Sequence, residues 1–388
     1  MYFLDAFTRS MTGLIESSGF AQFFVEDGHL YLIMVVIALL LIYLAIVKGF
    51  EPLLLLPISF GILLANLPGT GVMTSPADSA SGIGGVLYYV YQGIHLGIFP
   101  PLIFLGVGAL TDFGPLIANP KSVLLGISAQ FGIFAVFIGA MIFGFTPQQA
   151  SAIGIIGSAD GPTAIFTTQT LAPELLATIA IAAYSYMALV PVIQPPIMRA
   201  LTTKAERAIQ MDQLRVVSRR ERIMFPVCVT IVVTLLVPTA SPLIGMMMLG
   251  NLFKESGVTA QLGDASAKTL LYPLTIFVGL SIGATTDATR FLTAETLGIL
   301  SFGMLAFALS TASGVLFGKV LCKLSGGKVN PLIGAAGVSA MPMSARVVQK
   351  VGQEENPHNF LLMHAMGPTV ASTIGSALVA GVFIALFG

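Results

Sequence analysis

Long apolar runs alternate along the chain with short polar interruptions. Leu30–Val47, Ser122–Phe145 and Leu297–Val320 are each long enough to cross a hydrocarbon core of about 30 Å as a helix. The pattern predicts spanning helices at about 30–47, 52–67, 98–111, 122–145 and 175–199, and again at 223–237, 242–254, 269–285, 297–320 and 360–387. The two shortest, 223–237 and 242–254, flank Pro238 and Pro242, which also fits a broken hairpin. Two stretches, about 150–170 and 330–350, are too rich in Gly, Ser and Pro for simple spans, and the expectation there is a re-entrant hairpin. Irregular backbone at membrane depth is tolerated only where it is buried in protein or lines a cavity.

Sliding the sequence along itself by roughly 175 to 185 positions aligns similar segments. PISFGILLANL from Pro57 matches PLIGMMMLGNL from Pro242, pairing Asn66 with Asn251, and VGALTD ending at Asp112 matches IGATTD ending at Asp287. IGSAD (Ile156–Asp160) matches IGAAG (Ile333–Gly337), and MALVP ending at Pro191 matches HAMGP ending at Pro368. The expected organisation is an N-terminal surface segment (1–29), a first membrane repeat (30–199), a basic linker (200–221) and a second repeat (222–388). The stretch Arg199–Arg222 carries 7 of the 18 basic residues, so it is assigned to the cytoplasmic side. Five crossings per half is an odd number, so the halves are expected to be inverted. That arrangement puts 16 of the 18 basic residues inside and leaves Arg9 and Arg290 outside. Inverted repeats with discontinuous elements at matching positions are transporter architecture, with the site near the midplane. The predicted fold class is therefore an all-α polytopic membrane protein of two inverted-topology repeats, each of about five spans plus a re-entrant hairpin.

Composition agrees. The chain is 55% hydrophobic and 9% charged, whereas soluble domains carry about 25% charged residues. Net charge is zero and points to no nucleic-acid partner. Cys228 and Cys322 lack metal-site spacing, as do His29, His95, His358 and His364. Residues 1–28 lack the basic and apolar regions of a signal peptide.

The hairpins carry the candidate chemistry. GIIGSADGPTAIF (Gly154–Phe166) sets one carboxylate, Asp160, among glycines, Ser158 and Thr163. An ionisable group inside a membrane costs about 2.5–3.5 kcal/mol even on the lenient insertion scale, so it calls for a partner. A bound hard cation ligated by oxygens is one; a plain helix cap is the other reading. NPLIGAAGVSAMPMSAR (Asn330–Arg346) contains Asn330, Ser339, Ser344 and Arg346. The Arg346 fork suits a carboxylate, whether of an anionic substrate or of Asp160, and equally suits a flanking residue on the positive side. Tyr186 is either a donor to the site or ordinary packing. Asp112 and Asp287, at equivalent helix ends, are expected to cap helices or face solvent.

GIIGSADGPTAIF resembles the beta subunit of sodium-transporting decarboxylases, the group acting on oxaloacetate, methylmalonyl-CoA or glutaconyl-CoA. So do Asn330–Gly352, KGFEPLLLLPISFGILLANLP (Lys48–Pro68) and YSYMALVPVIQPPIM (Tyr184–Met198). The resemblance implies a membrane subunit of a biotin-dependent sodium pump that decarboxylates carboxybiotin and exports Na+. By motif it implies catalytic roles for Asp160, Tyr186 and Arg346. It implies carboxybiotin contacts at Arg346, Ser339 and Gly334, and Na+ ligands among Asp160, Ser158, Thr163, Asn330 and Ser339. The implied partners are a biotin-carrying subunit or domain, a carboxyltransferase alpha subunit, a small single-span gamma or delta subunit and further beta subunits in a homotrimer. The implied location is the bacterial cytoplasmic membrane. A sodium-coupled carboxylate symporter or sodium/proton antiporter is the alternative that residues and repeats alone leave open.

Overall fold

The computed structural model describes residues 18–23, 28–49, 51–79, 81–291 and 293–388. Most of the N-terminal segment 1–29 lies outside the described residues. The described residues form helices and no strands. Among the described residues, five helical stretches are long and apolar enough to cross a membrane, and up to seven if two bent pairs each count as one span.

The first part of the chain forms α1 (Gly28–Val47), α2 (Pro52–Asn66), α3 (Val86–His95) and α4 (Phe99–Leu110). There follow α5 (Ser122–Ala129), α6 (Phe131–Ile142), α7 (Pro147–Ile155), α8 (Gly161–Leu171) and α9 (Leu176–Leu201). Beyond the linker come α10 (Arg219–Leu236), α11 (Ser241–Ser256), α12 (Leu271–Ala284), α13 (Ala294–Leu324), α14 (Met343–Glu355) and α15 (Leu362–Phe387). Each helix expected from the apolar runs is present within a few residues. The α3 helix was not anticipated, because its run is short and bounded by a Gly-rich loop. The 122–145 run divides at Gln130, whose amide is drawn to α15 (below). The α10 helix begins at Arg219 because Ser218 and Glu221 form a capping box there.

The chain divides into two compact units. The smaller comprises the residues up to Leu96 with Thr275–Leu297, and the larger Gly97–Leu274 with Gly298–Gly388. Within the smaller, α2 and α12 approach so closely that a Cβ on Gly61 would lie 2.3 Å from the Leu280 carbonyl oxygen, and one on Gly283 2.0 Å from that of Ile58. Asn66 fastens the crossing by donating to the Thr286 carbonyl (2.8 Å) and accepting from the Ala288 N–H (3.0 Å). Within the larger unit, α4 and α11 cross at Gly108 and Gly250, where a Cβ would meet the Met247 and Leu105 carbonyls at 1.9 and 2.0 Å. Asn251 donates to the Thr111 carbonyl at 3.2 Å. Thus Asn66 meets Thr286 and Asn251 meets Thr111, and both residues of each kind are matched in the sequence alignment of the halves. Each crossing joins a helix from one half to a helix from the other. Small residues at such contacts let backbones meet where no hydrophobic drive operates.

Candidate functional site: two chain breaks that meet

The first break begins with α7, which starts on a capping box of Thr146 and Gln149 and runs into a single 3-10 turn, Ile156–Ser158. The chain then turns at Ala159, whose φ of 52° is a left-handed conformation that non-glycine residues rarely adopt. Such strain clusters where the surrounding structure has a use for it. Asp160 follows in extended conformation as the N-cap of α8. Its neighbour Gly161 has no room for a side chain: a Cβ there would lie 2.1 Å from Cε1 and 2.8 Å from the hydroxyl of Tyr184.

Asp160 is buried, only 6% exposed. It does cap a helix, accepting the Thr163 N–H, but at a long 3.4 Å. Its one short bond comes from the Ser376 hydroxyl at 2.8 Å. No ion pair to Asp160 occurs among the described residues. A carboxylate has about four acceptor sites, so most of this one's capacity is unspent.

The second break is built differently from the first. Asn330 caps a 3-10 segment, Pro331–Gly337, by accepting the Leu332 N–H. An extended stretch then leads to α14, which continues to Glu355, beyond the predicted limit. The extended stretch touches the first break: the Ser339 N–H donates to the Ser158 carbonyl at 2.8 Å. The Ser339 hydroxyl donates to Ser372 Oγ at 3.0 Å, with Ser376 Oγ at 3.5 Å, and Gln130 Nε2 donates to Ser372 Oγ at 2.8 Å. Thr163 Oγ1 and Gln130 Oε1 are buried without a hydrogen-bond partner among the described residues. Asp160, Ser158, Thr163, Ser339, Ser372, Ser376 and Gln130 therefore form one chain of buried groups linking the two breaks. It contains a carboxylate, hydroxyls and an amide oxygen, with unpaired acceptors and no cationic side chain. Hard oxygen donors of this kind suit a hard cation.

The other candidates lie apart from this cluster. Asn330 spends its amide on the linker, donating to the Arg207 and Ile209 carbonyls at 3.0 and 2.9 Å. Gly334 lies against Gly314 of α13, where a Cβ would be 2.0 Å from the Gly314 carbonyl. Tyr186 donates its hydroxyl to the Leu300 carbonyl and packs against Gly303. Arg346 stands exposed on the first turn of α14 and makes no ion pair among the described residues. Sequence reasoning missed Tyr184, Gln130, Ser372 and Ser376. The last two had a usable signal: small polar residues at i, i+4 on an apolar helix.

The profile of the family described as "Na+-transporting oxaloacetate decarboxylase beta subunit" matches residues 30–387. The chain belongs to this family. The beta subunit is 60% identical over 374 residues to the methylmalonyl-CoA decarboxylase subunit beta of Propionigenium modestum, which covers 92% of this chain and 95% of the relative. It is 54% identical over 385 residues to the glutaconyl-CoA decarboxylase subunit beta of Acidaminococcus fermentans, covering 99% and 100%. The oxaloacetate decarboxylase beta chain 2 of Salmonella typhi is 50% identical over 430 residues, covering 97% and 98%. Relatives with three different acids in their names match this beta subunit almost end to end. With its apolar helices, it is a multi-pass membrane subunit of the sodium-transporting decarboxylases.

Proposed function

We propose that this subunit releases CO2 from carboxybiotin on the cytoplasmic face of a bacterial inner membrane and exports Na+ in the same cycle, with Na+ held where the two breaks meet. Asp160 is the charged ligand, and the Ser158, Thr163 and Ser339 oxygens complete the shell together with Ser372, Ser376 and Gln130. Asn330 and Gly334 act through position: one ties the second break to the linker, the other seats it against α13. Arg346, exposed and without an ion pair among the described residues, orients the incoming carboxylate with its fork. In the decarboxylation the N–CO2 bond breaks, CO2 leaves and the ring nitrogen takes up one proton, which Tyr186 or Asp160 relays. Loss of the anionic carboxylate changes the charge beside the cluster and biases the halves toward the outward-facing state.

The single observation that carries this reading is the nearly fully buried Asp160 with one short hydrogen bond and no cationic side chain. An uncompensated charge at that depth is expensive, and a transported cation is the compensation. The exchange of Asn66 and Asn251 partners between the halves supports inverted repeats at 30–199 and 222–388, and the basic residues of linker 200–221 support its cytoplasmic side. Partners consistent with this role are a biotin-carrying domain, a carboxyltransferase alpha subunit, a small single-span subunit and further beta subunits in a homotrimer. The acid consumed is chosen outside this chain. The test supplies the purified subunit with free carboxybiotin and follows CO2 with and without Na+. Saturable stimulation by Na+ is expected. A folded, Na+-binding subunit that leaves carboxybiotin intact while moving a free carboxylate would be a symporter.

A further inference from the structure

Of the seven basic residues in Arg199–Arg222, Arg207 alone is buried, at 7% exposed. A guanidinium stays charged, so burying it is costly unless it is paired and hydrogen-bonded. Here Nε and Nη2 both donate to Glu355 Oε1, at 3.0 and 2.6 Å, and Nη1 donates to the Thr202 carbonyl at 2.6 Å. The main-chain carbonyl of the same residue accepts from Nδ2 of Asn330 and of Asn359, both at 3.0 Å and both buried. Asn330 opens the second break, Glu355 ends α14 and Asn359 follows it. One linker residue thus closes a loop of chain from 330 to 359, and Ser339 and Arg346 both lie inside that loop. The linker turn is itself anchored. A capping box of Thr203 and Glu206 starts it, Glu206 pairs with Lys319 of α13 at 3.4 Å, and Lys319 donates to the Leu201 carbonyl at the end of α9 at 3.0 Å. A second ion pair, Arg199 with Glu354 at 2.7 Å, also reaches α14, but its side chains are 48% and 39% exposed. Exposed pairs contribute little, so the buried one holds the junction.

We propose that Arg207 is a positioning residue for the decarboxylation: it closes the base of the second break and so fixes where Ser339 meets the ion cluster and where Arg346 presents its fork. This rests on the function proposed above, in which those two side chains serve Na+ and the carboxylate. Arg207 hydrogen-bonds to neither of them. It acts on the end of α14 through Glu355, and by holding its own backbone against Thr202 it keeps its carbonyl where Asn330 and Asn359 reach it. The planar fork suits this task, because one side chain grips a carboxylate and a carbonyl at once in fixed directions. The junction also has a route to the first break. The α9 helix, which ends at Leu201 just before the linker turn, packs Tyr184 against Gly161 beside Asp160. A misplacement of about 1 Å caused far from the chemistry can cost about a hundredfold in rate, so a residue that sets the base of this loop acts on turnover without touching substrate.

The test compares three variants of the purified full-length subunit with wild type. Arg207→Met keeps the stem and removes the fork, Arg207→Lys keeps the charge without the fork, and Arg199→Met removes the exposed pair as a control. Na+-stimulated CO2 release from free carboxybiotin is divided by the number of Na+ sites titrated with radioactive Na+. That ratio separates position from folding, because a residue needed only for stability lowers the number of sites and leaves kcat/KM per site unchanged. In Arg207→Met, kcat/KM per site should fall about ten- to a hundredfold. Arg207→Lys should recover part of the loss, and Arg199→Met should keep the wild-type value. Na+ affinity without carboxybiotin should weaken only about two- to tenfold in Arg207→Met, the share of one neutral hydroxyl, since Asp160 sits on the other break. Should Arg207→Met leave no Na+ sites to count, Arg207→Lys decides, with a smaller drop of the same kind expected. Wild-type kcat/KM per site in both Arg207 variants, or an equal loss in Arg199→Met, would overturn the positioning role and leave the decarboxylase reading in place. Wild type that binds Na+ and leaves carboxybiotin intact would overturn that reading, and this proposal with it.

Discussion

The two chain breaks occupy matched positions in the two halves but are built differently. In the first, two α-helices are separated by a strained Ala159 and an Asp160 that caps the second of them. In the second, a 3-10 segment runs through Gly337, the residue aligned with Asp160, and the chain then extends to Ser339 before a helix with an exposed cationic side begins. One break thus brings charge to the buried cluster, and the other brings only neutral hydroxyl and backbone groups while keeping its charge, Arg346, at the surface. The buried cluster contains a single carboxylate, so on the reading proposed above its charge balances one monovalent cation. A second buried acid at Gly337 would leave one negative charge uncompensated.

Asp160→Asn should produce the largest effect, because it keeps shape and removes the only charge. Losing one partner of a buried charge pair costs about 2–5 kcal/mol, so Na+ uptake and Na+-stimulated CO2 release in vesicles should fall about 30-fold to several thousandfold. Near-normal Na+ dependence would move the charge out of the ion site. Gly334→Ala tests the other break. With backbone, not a flexible side chain, only 2.0 Å from the new Cβ, the second break must shift. Overpacking of this kind costs about 1–3 kcal/mol or more, and thermal stability and transport should drop together. Arg346→Lys should leave Na+ affinity untouched and raise the KM for carboxybiotin about tenfold, since an ammonium does not reproduce the fork. A parallel change in Na+ affinity would mean that the exposed arginine and the cluster are one site.

Ser376→Ala removes the only short donor to Asp160 and is expected to cost about 0.5–1.5 kcal/mol in Na+ binding. The smallest effect lies in the linker. Glu221 is pulled down to about 2, first by the hydrogen bond from Arg215 and then by those from Ser218. A depressed carboxyl contributes stability above its unfolded value and loses it as pH falls through the folded one. Proteolytic nicking near Gln213 should therefore stay slow at neutral pH and rise only as the medium is acidified below the ordinary glutamate range toward 2. Accelerated nicking at pH 6 would show that the ion pair does not hold the linker.

Much of this was legible in the chain because lipid leaves few options. Apolar runs located the helices, Gly-, Ser- and Pro-rich stretches located both breaks, and a lone carboxylate marked Asp160. The alignment of halves also paired Asn66 with Asn251 and Thr111 with Thr286, the residues that fasten the two crossings. Hidden were the partners that individual polar and aromatic side chains find on folding. Gln130 sits inside an apolar run, and only folding shows that its amide reaches Ser372. Tyr184 and Tyr186 are two residues apart, so on a helix they point to different sides; only the structure puts Tyr184 against Gly161 and Tyr186 against Gly303. Asn330 reads like a ligand in its motif, yet both its amide hydrogen bonds go to linker carbonyls far away in sequence.

The most direct measurement is equilibrium binding of radioactive Na+ to the purified subunit without carboxybiotin, comparing wild type with Asp160→Asn and Arg346→Lys. Wild type and Arg346→Lys should bind with the same saturable affinity, and Asp160→Asn should show none in the same range. Wild-type Na+ affinity in the folded Asp160→Asn protein would contradict an ion site at the meeting point of the two breaks.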